Sequence, residues 1–193
     1  MGVVQMTNKE LAPSKVQALK FGLWIGMVSI SMMFGAITSA YLVRKPAGNW
    51  YEFKLPQAFF FSTILIIISS FLMEWAYRSF KSGIESKYKQ GILLTMVFGL
   101  GFLMMQIVSW KALFSQGITI NLNVSGSFLY LLSGLHALHV LGGIAALLVS
   151  FFTAYFTKFE INTARLLRLN LVRQYWHFVD ILWIYLLVFL ILQ

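Results

Sequence analysis

Ionisable side chains are rare within the apolar parts of this 193-residue chain, and the most informative ones fall into two short motifs. His136 and His139 lie three residues apart, a spacing that places both on one face of a helix. His177 and Asp180 have the same spacing in a later segment. An ionisable group at the centre of a bilayer costs at least ~2.5 kcal/mol unless it is paired, so these positions require a chemical explanation.

Two kinds of chemistry fit these four residues. Helix spacing would let His136 and His139 converge with Asp180 on one metal ion. Alternatively, His136, His139, His177 and Asp180 form an interhelical polar core, hydrogen-bonded to one another, with no bound metal or cofactor. The chain contains 3 His and no Cys, which excludes thiolate metal sites and is too few for a haem-copper centre. The sequence favours the polar core.

Long apolar stretches must position these side chains. Hydrophobic residues make up 59% of the chain and charged residues 11%, well below the charged share of about a quarter in soluble domains. Each stretch is long enough to cross a ~30 Å hydrocarbon core, and helices satisfy their own backbone there. The sequence therefore predicts one all-α membrane domain over residues 1–193, with spans at about 21–43, 56–77, 91–113, 127–156 and 170–192.

The predicted depths of the two motifs agree. At 1.5 Å per residue, His139 lies ~18 Å from the start of the fourth predicted span and Asp180 ~15 Å from the start of the fifth. Because these spans run in opposite directions through a ~30 Å core, the two residues are expected at nearly the same level.

Basic residues lie mainly on one side of the predicted bundle. Eleven of the 15 Lys and Arg residues fall on the side of the N-terminus and four on the other, so the N-terminus is predicted to be cytoplasmic and the C-terminus outside. The net charge of +9 then reflects helix orientation and not nucleic-acid binding. The larger set is Lys9, Lys15, Lys20, Arg78, Lys81, Lys87, Lys89, Lys158, Arg165, Arg168 and Arg173, and the smaller set is Arg44, Lys45, Lys54 and Lys111.

Two further groups of charges have expected roles. Glu74 and Arg78 lie four residues apart in the acid-then-base order that helices favour, which predicts a local ion pair. Arg165, Arg168 and Arg173 lie on the predicted cytoplasmic side and are candidate contacts for anionic lipid headgroups.

The two histidine motifs together resemble subunit III of the haem-copper respiratory oxidases, the cytochrome c oxidase subunit III family, in its short five-helix bacterial form. The motifs are G-x-H-x-x-H-V-x-x-G from residue 134 and Y-W-H-F-V-D from residue 175. Further similar residues lie in the first three spans, at Leu23, Trp24, Ser29, Ser62, Thr63, Ser69, Ser70 and Gln106. Two glutamates usual in the family are replaced, by Ile30 and by Ser109, so their roles cannot be transferred.

This resemblance implies a non-catalytic subunit of a proton-pumping terminal oxidase in aerobic respiration, located in the bacterial plasma membrane. The expected partners are oxidase subunits I and II, which hold the haem and copper, together with membrane lipids and a structural phospholipid. Membership of a larger respiratory assembly is left open. Subunit III is expected to support assembly, stability and proton uptake of the catalytic subunit.

Two alternatives remain at this point. The same fold could serve a quinol oxidase, in which only the partner subunits reveal the electron donor. A protein of another class, an independent metal-binding or proton-conducting membrane protein, would use the three histidines and Asp180 directly.

Overall fold

The computed structural model describes residues 12–48, 50, 55–119 and 123–193, and five long helices dominate these ranges. Each is long and apolar enough to cross a membrane. A short 3-10 turn, Lys45–Ala47, follows the first helix. The helices are α1 (Pro13–Arg44), α2 (Ala58–Lys81), α3 (Glu85–Ser115), α4 (Val124–Phe156) and α5 (Thr163–Leu192).

Local sequence signals set several of the helix ends. Pro13 begins α1, where its missing N–H would have no partner in any case. Asn123 and Asn162 cap α4 and α5, because each side chain accepts a hydrogen bond from a backbone N–H of the first turn. The turn between α2 and α3 contains Gly83 at φ +76°, a left-handed conformation that favours glycine.

The helices pack as a ring of four with α1 outside it. Each of α2, α3, α4 and α5 contacts two neighbours in the ring, in the order α2–α3–α4–α5–α2, and α1 contacts α4 and α5. The buried residues of α1 lie from its middle onward, at Met27, Phe34, Thr38 and Tyr41. The seam between α4 and α5 is therefore covered by α1, while the seam between α2 and α5 is not.

The prediction of an all-helical fold with five apolar helices is confirmed, although most helices extend beyond the predicted spans. The first begins at Pro13 and not near residue 21, and the fifth begins at Thr163 and not near residue 170. A helix need not end where the apolar stretch ends, because its backbone hydrogen bonds can continue into the membrane–water interface. Two residues of the charge analysis, Lys9 and Lys54, lie outside the described ranges.

Candidate functional site

Glu74 is the centre of a polar contact between α2 and α5. Its Oε1 accepts a hydrogen bond from Arg78 Nε at 2.8 Å, and its Oε2 accepts one from Arg173 Nη1 at 2.8 Å. Arg173 also donates to Asn170 Oδ1 at 2.9 Å, and its guanidinium lies 4.2 Å over the ring of Tyr77. Glu74 thus pairs with Arg78 on its own helix and, in addition, links α2 to α5.

Arg173 is directed into the protein in the structure, where the sequence interpretation assigned it to lipid headgroups. Its partner Glu74 is 99 residues away in the chain, so no local pattern indicates the contact. The side chains of Arg173 and Glu74 are only 24% and 26% exposed. A charged pair at this level of burial is screened less than a surface pair.

His177 lies one turn of α5 after Arg173 and faces the same side of α2. Its Nδ1 is 2.5 Å from the Ser70 hydroxyl, and its Nε2 is 3.6 Å from Glu74 Oε2. The two helix faces match turn by turn, because Ser70 and Glu74 are four residues apart on α2 and Arg173 and His177 are four apart on α5.

Asp180 completes this group and lies beside the Ser70 hydroxyl, which interacts with its carboxylate. The residue is 3% exposed, and neither carboxylate oxygen has a donor at full hydrogen-bond geometry among the described residues. A recess of about 380 Å³ lies beside it. The recess is lined by Ile67, Ser70, Phe71, Glu74, His177, Asp180, Ile181 and Ile184. We call Ser70, Glu74, Arg173, His177 and Asp180 the α2–α5 polar cluster.

The other two histidines of the sequence motifs lie elsewhere, between α4 and its neighbours. His136 is fully buried, and its ring centroid lies 5.0 Å from Trp183 and 5.7 Å from Phe102. Neither of its ring nitrogens has a hydrogen-bond partner in the described part of the chain. His139 Nδ1 lies 2.7 Å from the Leu135 carbonyl oxygen, one turn earlier on α4. The His139 ring packs edge-on against Phe34 of α1 at 5.7 Å.

The four predicted core residues therefore occupy two places. No hydrogen bond joins His136 or His139 to His177 or Asp180, all four of which are described. Trp183, one turn beyond Asp180 on α5, occupies the position that faces His136. Because the Trp183 indole, and not the Asp180 carboxylate, faces His136, the two motifs form no common hydrogen-bond network even though they were expected at the same depth.

Two buried indoles form the polar contacts that the sequence interpretation did not identify. Trp176 Nε1 donates to the Ser69 hydroxyl at 3.1 Å, and that hydroxyl donates to the Thr95 carbonyl at 2.9 Å. Trp183 Nε1 donates to Thr63 Oγ1 at 2.9 Å. Both indoles donate to hydroxyl groups of α2. Small hydroxylated residues on that apolar helix were therefore the sequence feature that could have predicted these contacts.

Arg165 and Arg168 border a second cavity, of about 250 Å³, at the end of α4 and the beginning of α5. Arg165 donates to the Lys158 carbonyl and to Thr157 Oγ1, while Arg168 is exposed. The remaining lining combines aromatic and aliphatic side chains with the hydroxyl groups of one tyrosine, one serine and two threonines. It consists of Phe80, Tyr88, Val149, Ser150, Thr153, Ala154, Thr157, Phe159 and Leu169.

The donor geometry gives no metal-binding group. Within the described residues, no three His, Cys, Asp or Glu side chains are arranged so that they could hold a metal ion. The proposed convergence of His136 and His139 with Asp180 is therefore not part of this arrangement, since His136 is enclosed by aromatic rings and His139 faces its own helix and Phe34.

Comparison with known proteins gives a consistent result across nearly the whole chain. The family model described as cytochrome c oxidase subunit III matches residues 8–192. A probable cytochrome c oxidase subunit 3 of Mycobacterium leprae is 29% identical over 184 residues, covering 93% of this chain and 90% of that protein. The cytochrome c oxidase subunit 3 of Corynebacterium diphtheriae is 29% identical over 192 residues, covering 92% of each chain.

A relative from an animal aligns over a shorter part. The cytochrome c oxidase subunit 3 of Lemur catta is 31% identical over 127 residues, covering 66% of this chain and 44% of that protein. Together with five membrane-spanning-capable helices, these matches identify the chain as a multi-pass membrane protein of the cytochrome c oxidase subunit III family.

Proposed function

We propose that this chain is a non-catalytic subunit III that supports assembly, stability and proton uptake of the catalytic subunit in a proton-pumping terminal oxidase. The observation that carries the proposal is the family match over residues 8–192 in a chain with only 3 His and no Cys. An oxygen-reducing haem-copper centre needs more histidine ligands than this chain contains. The haem and copper would therefore be held by subunits I and II, with none bound here.

The polar residues would act by holding helices together. His136 and His139 pack against aromatic rings of α1, α3 and α5, and His177 contacts Ser70 of α2. In this proposal His136, His139, His177 and Asp180 form an interhelical polar core in two parts. A rigid bundle of this kind presents fixed surfaces to its partner subunits.

The cavity beside Arg165 and Arg168 suits a structural phospholipid. A phosphate would bind at the exposed Arg168 guanidinium, and an acyl chain would lie along the apolar part of the lining, such as Val149 and Leu169. The proposal includes a bacterial plasma membrane location with the N-terminus cytoplasmic. It is compatible with the oxidase being part of a larger respiratory assembly.

The test is affinity purification of the tagged chain from native membranes in mild detergent, followed by a reduced-minus-oxidised optical spectrum and mass spectrometry. We expect haem absorbance and a large multi-helix partner. A colourless preparation without partners would overturn the proposal. It would favour an independent metal-binding or proton-conducting protein, which metal analysis and proton-flux assays on the purified chain would then detect.

The same purification distinguishes the electron donor. A co-purifying subunit II with copper-binding cysteines and histidines identifies a cytochrome c oxidase, whereas a subunit II without them identifies a quinol oxidase. The supporting role is tested by purifying the complex from a strain that lacks this chain. We expect oxygen reduction to begin normally and to decay faster during sustained turnover, and undiminished stability and proton uptake would contradict the role.

A further inference from the structure

The α2–α5 polar cluster is open on the side that none of the five described helices covers. His177, Glu74 and Arg173 keep 32%, 26% and 24% of their side-chain surface exposed, in the parts of α2 and α5 nearer the predicted cytoplasmic side. Asp180 is buried beside them at the recess, and apart from the nearby Ser70 hydroxyl no described residue offers its oxygens a donor. Charged groups within membranes almost always face protein or a water-filled cavity, so hydrocarbon lipid is an unfavourable cover for this surface.

A second recess continues this surface toward α1. It has a volume of about 270 Å³ and lies between α1 and α5, where its lining includes Ser31, Gly35 and Tyr185. Ile181 lines both recesses and separates them. Two shallow recesses therefore flank the outer side of α5. The recess on the α2 side contains Asp180, and the recess on the α1 side is lined by the small residues Ser31 and Gly35.

We propose that a membrane-spanning helix of another subunit lies against α5 at Ile181 and donates a hydrogen bond to Asp180. This inference rests on the proposed function, because it requires a multi-subunit membrane complex. The partner helix would present an amide, hydroxyl or amino donor to the carboxylate and apolar side chains to Phe71 and Ile184. An ionised carboxylate accepts hydrogen bonds and cannot donate them, so the partner must supply the donor.

The depth of Asp180 argues for a helix and against a lipid headgroup. At 1.5 Å per residue, Asp180 lies ~18 Å along α5 from Leu192 and ~26 Å from Thr163, so neither membrane surface is near it. A second copy of this chain fits less well. A two-fold contact centred on Ile181 would bring two Asp180 carboxylates together, which places acceptor against acceptor.

Photo-crosslinking in native membranes tests the surface. The probe p-benzoylphenylalanine replaces Phe71 or Ile181 at the recess, and Met104 or Leu138 on α3 and α4 as controls. All four positions are similarly exposed, at 74%, 66%, 67% and 62%. We expect the first two variants to crosslink to a haem-containing multi-helix subunit and the controls to give no protein adduct.

Three outcomes would overturn the inference while the family role stands, because haem still co-purifies in each. They are protein adducts from Met104 or Leu138 but not from the recess, adducts with a second copy of this chain, and adducts with lipid alone. Failure of haem to co-purify with the unsubstituted chain would instead contradict the proposed function.

The hydrogen bond is tested separately by Asp180→Leu and Asp180→Asn. We expect Asp180→Leu to lower haem retention per chain by about tenfold under stringent detergent, the smallest effect typical of a lost bond to a charged group. Asp180→Asn keeps an acceptor and should retain most of the haem. Gln106→Leu, which removes a buried polar group inside the bundle, is the matched control and should leave retention unchanged. Equal retention by Asp180→Leu and Gln106→Leu would show that Asp180 makes no bond to the partner.

Discussion

The indole of Trp176 lies so close to Gly99 that a Cβ atom on residue 99 would come within 2.8 Å of the ring. Gly143, on the opposite side, would place a Cβ 2.9 Å from the same ring. Glycines of α3 and α4 therefore form a slot into which an indole of α5 is inserted. Because Trp176 also binds Ser69 of α2, this one side chain contacts all the other helices of the four-helix ring.

Gly99→Ala should destabilise the bundle, because a methyl group cannot be added without moving a fully buried ring. Overpacking of this kind costs about 1–3 kcal/mol, which thermal unfolding in detergent would record as a lower midpoint. Gly101→Ala is the matched control on the same helix, where the nearest atom is a flexible Leu65 methyl at 3.5 Å. That variant should be neutral or slightly stabilised, since Ala favours helix more than Gly does. Equal midpoints for the two variants would contradict a confined ring.

Arg173→Met should reduce stability more than Arg78→Met, although both arginines bond Glu74 at 2.8 Å. Arg173 joins two helices and is 24% exposed, whereas Arg78 is 76% exposed and pairs within one helix turn. We expect losses of about 1.5–3 kcal/mol for the first and about 0.3–0.5 kcal/mol for the second. Denaturant unfolding of both variants in the same detergent measures the difference. A larger loss for Arg78→Met would show that the interhelical bond contributes little.

Arg168→Gln should lower the amount of anionic phospholipid that co-purifies with the protein. A basic residue near the membrane surface contributes about 1 kcal/mol to binding of anionic lipid, which is roughly fivefold in affinity. Lys81→Gln removes the same charge from an exposed site outside the cavity and serves as the control. Native mass spectrometry would count bound lipids in both variants. Equal lipid loss from the two would indicate general charge attraction and no site at the cavity.

The orientation of the bundle can be measured directly, because the chain contains no Cys and any introduced thiol is unique. Lys87 and Lys111 are exposed near opposite ends of α3. With the N-terminus cytoplasmic, a membrane-impermeant maleimide should label Lys111→Cys in intact cells and Lys87→Cys only after lysis. The reverse pattern would overturn the orientation derived from the charge distribution.

The helical fold was predictable because its signal is local. Apolar stretches of sufficient length define the five helices, and Asn123 and Asn162 mark the beginnings of two of them. The helix boundaries were less predictable. The first helix begins at Pro13, several residues before the apolar stretch, in a segment whose polar residues give no hydropathy signal for a helix.

The site was predictable only in its residue types. A spacing of three placed His177 and Asp180 on one side of α5, and a spacing of four placed Glu74 beside Arg78 on α2. Which helix each side chain faces depends on rotation about the helix axis, and apolar residues on every side of these helices leave that rotation undefined in the sequence. The contact between Arg173 and Glu74 and the indole of Trp183 against His136 both depend on it.

The position of α1 affects how the bundle assembles during translation, because its helix partners are synthesised later. Among the described helices, α1 packs mainly against α4 and α5, which are made after α2 and α3. Its Thr38 hydroxyl meets Tyr185, 147 residues later in the chain. During translation α1 must therefore wait in the lipid or beside an insertion factor while α2 and α3 pair. A chain that stops before α5 leaves its first helix without half of its contacts, which is a feature that a membrane protease could recognise.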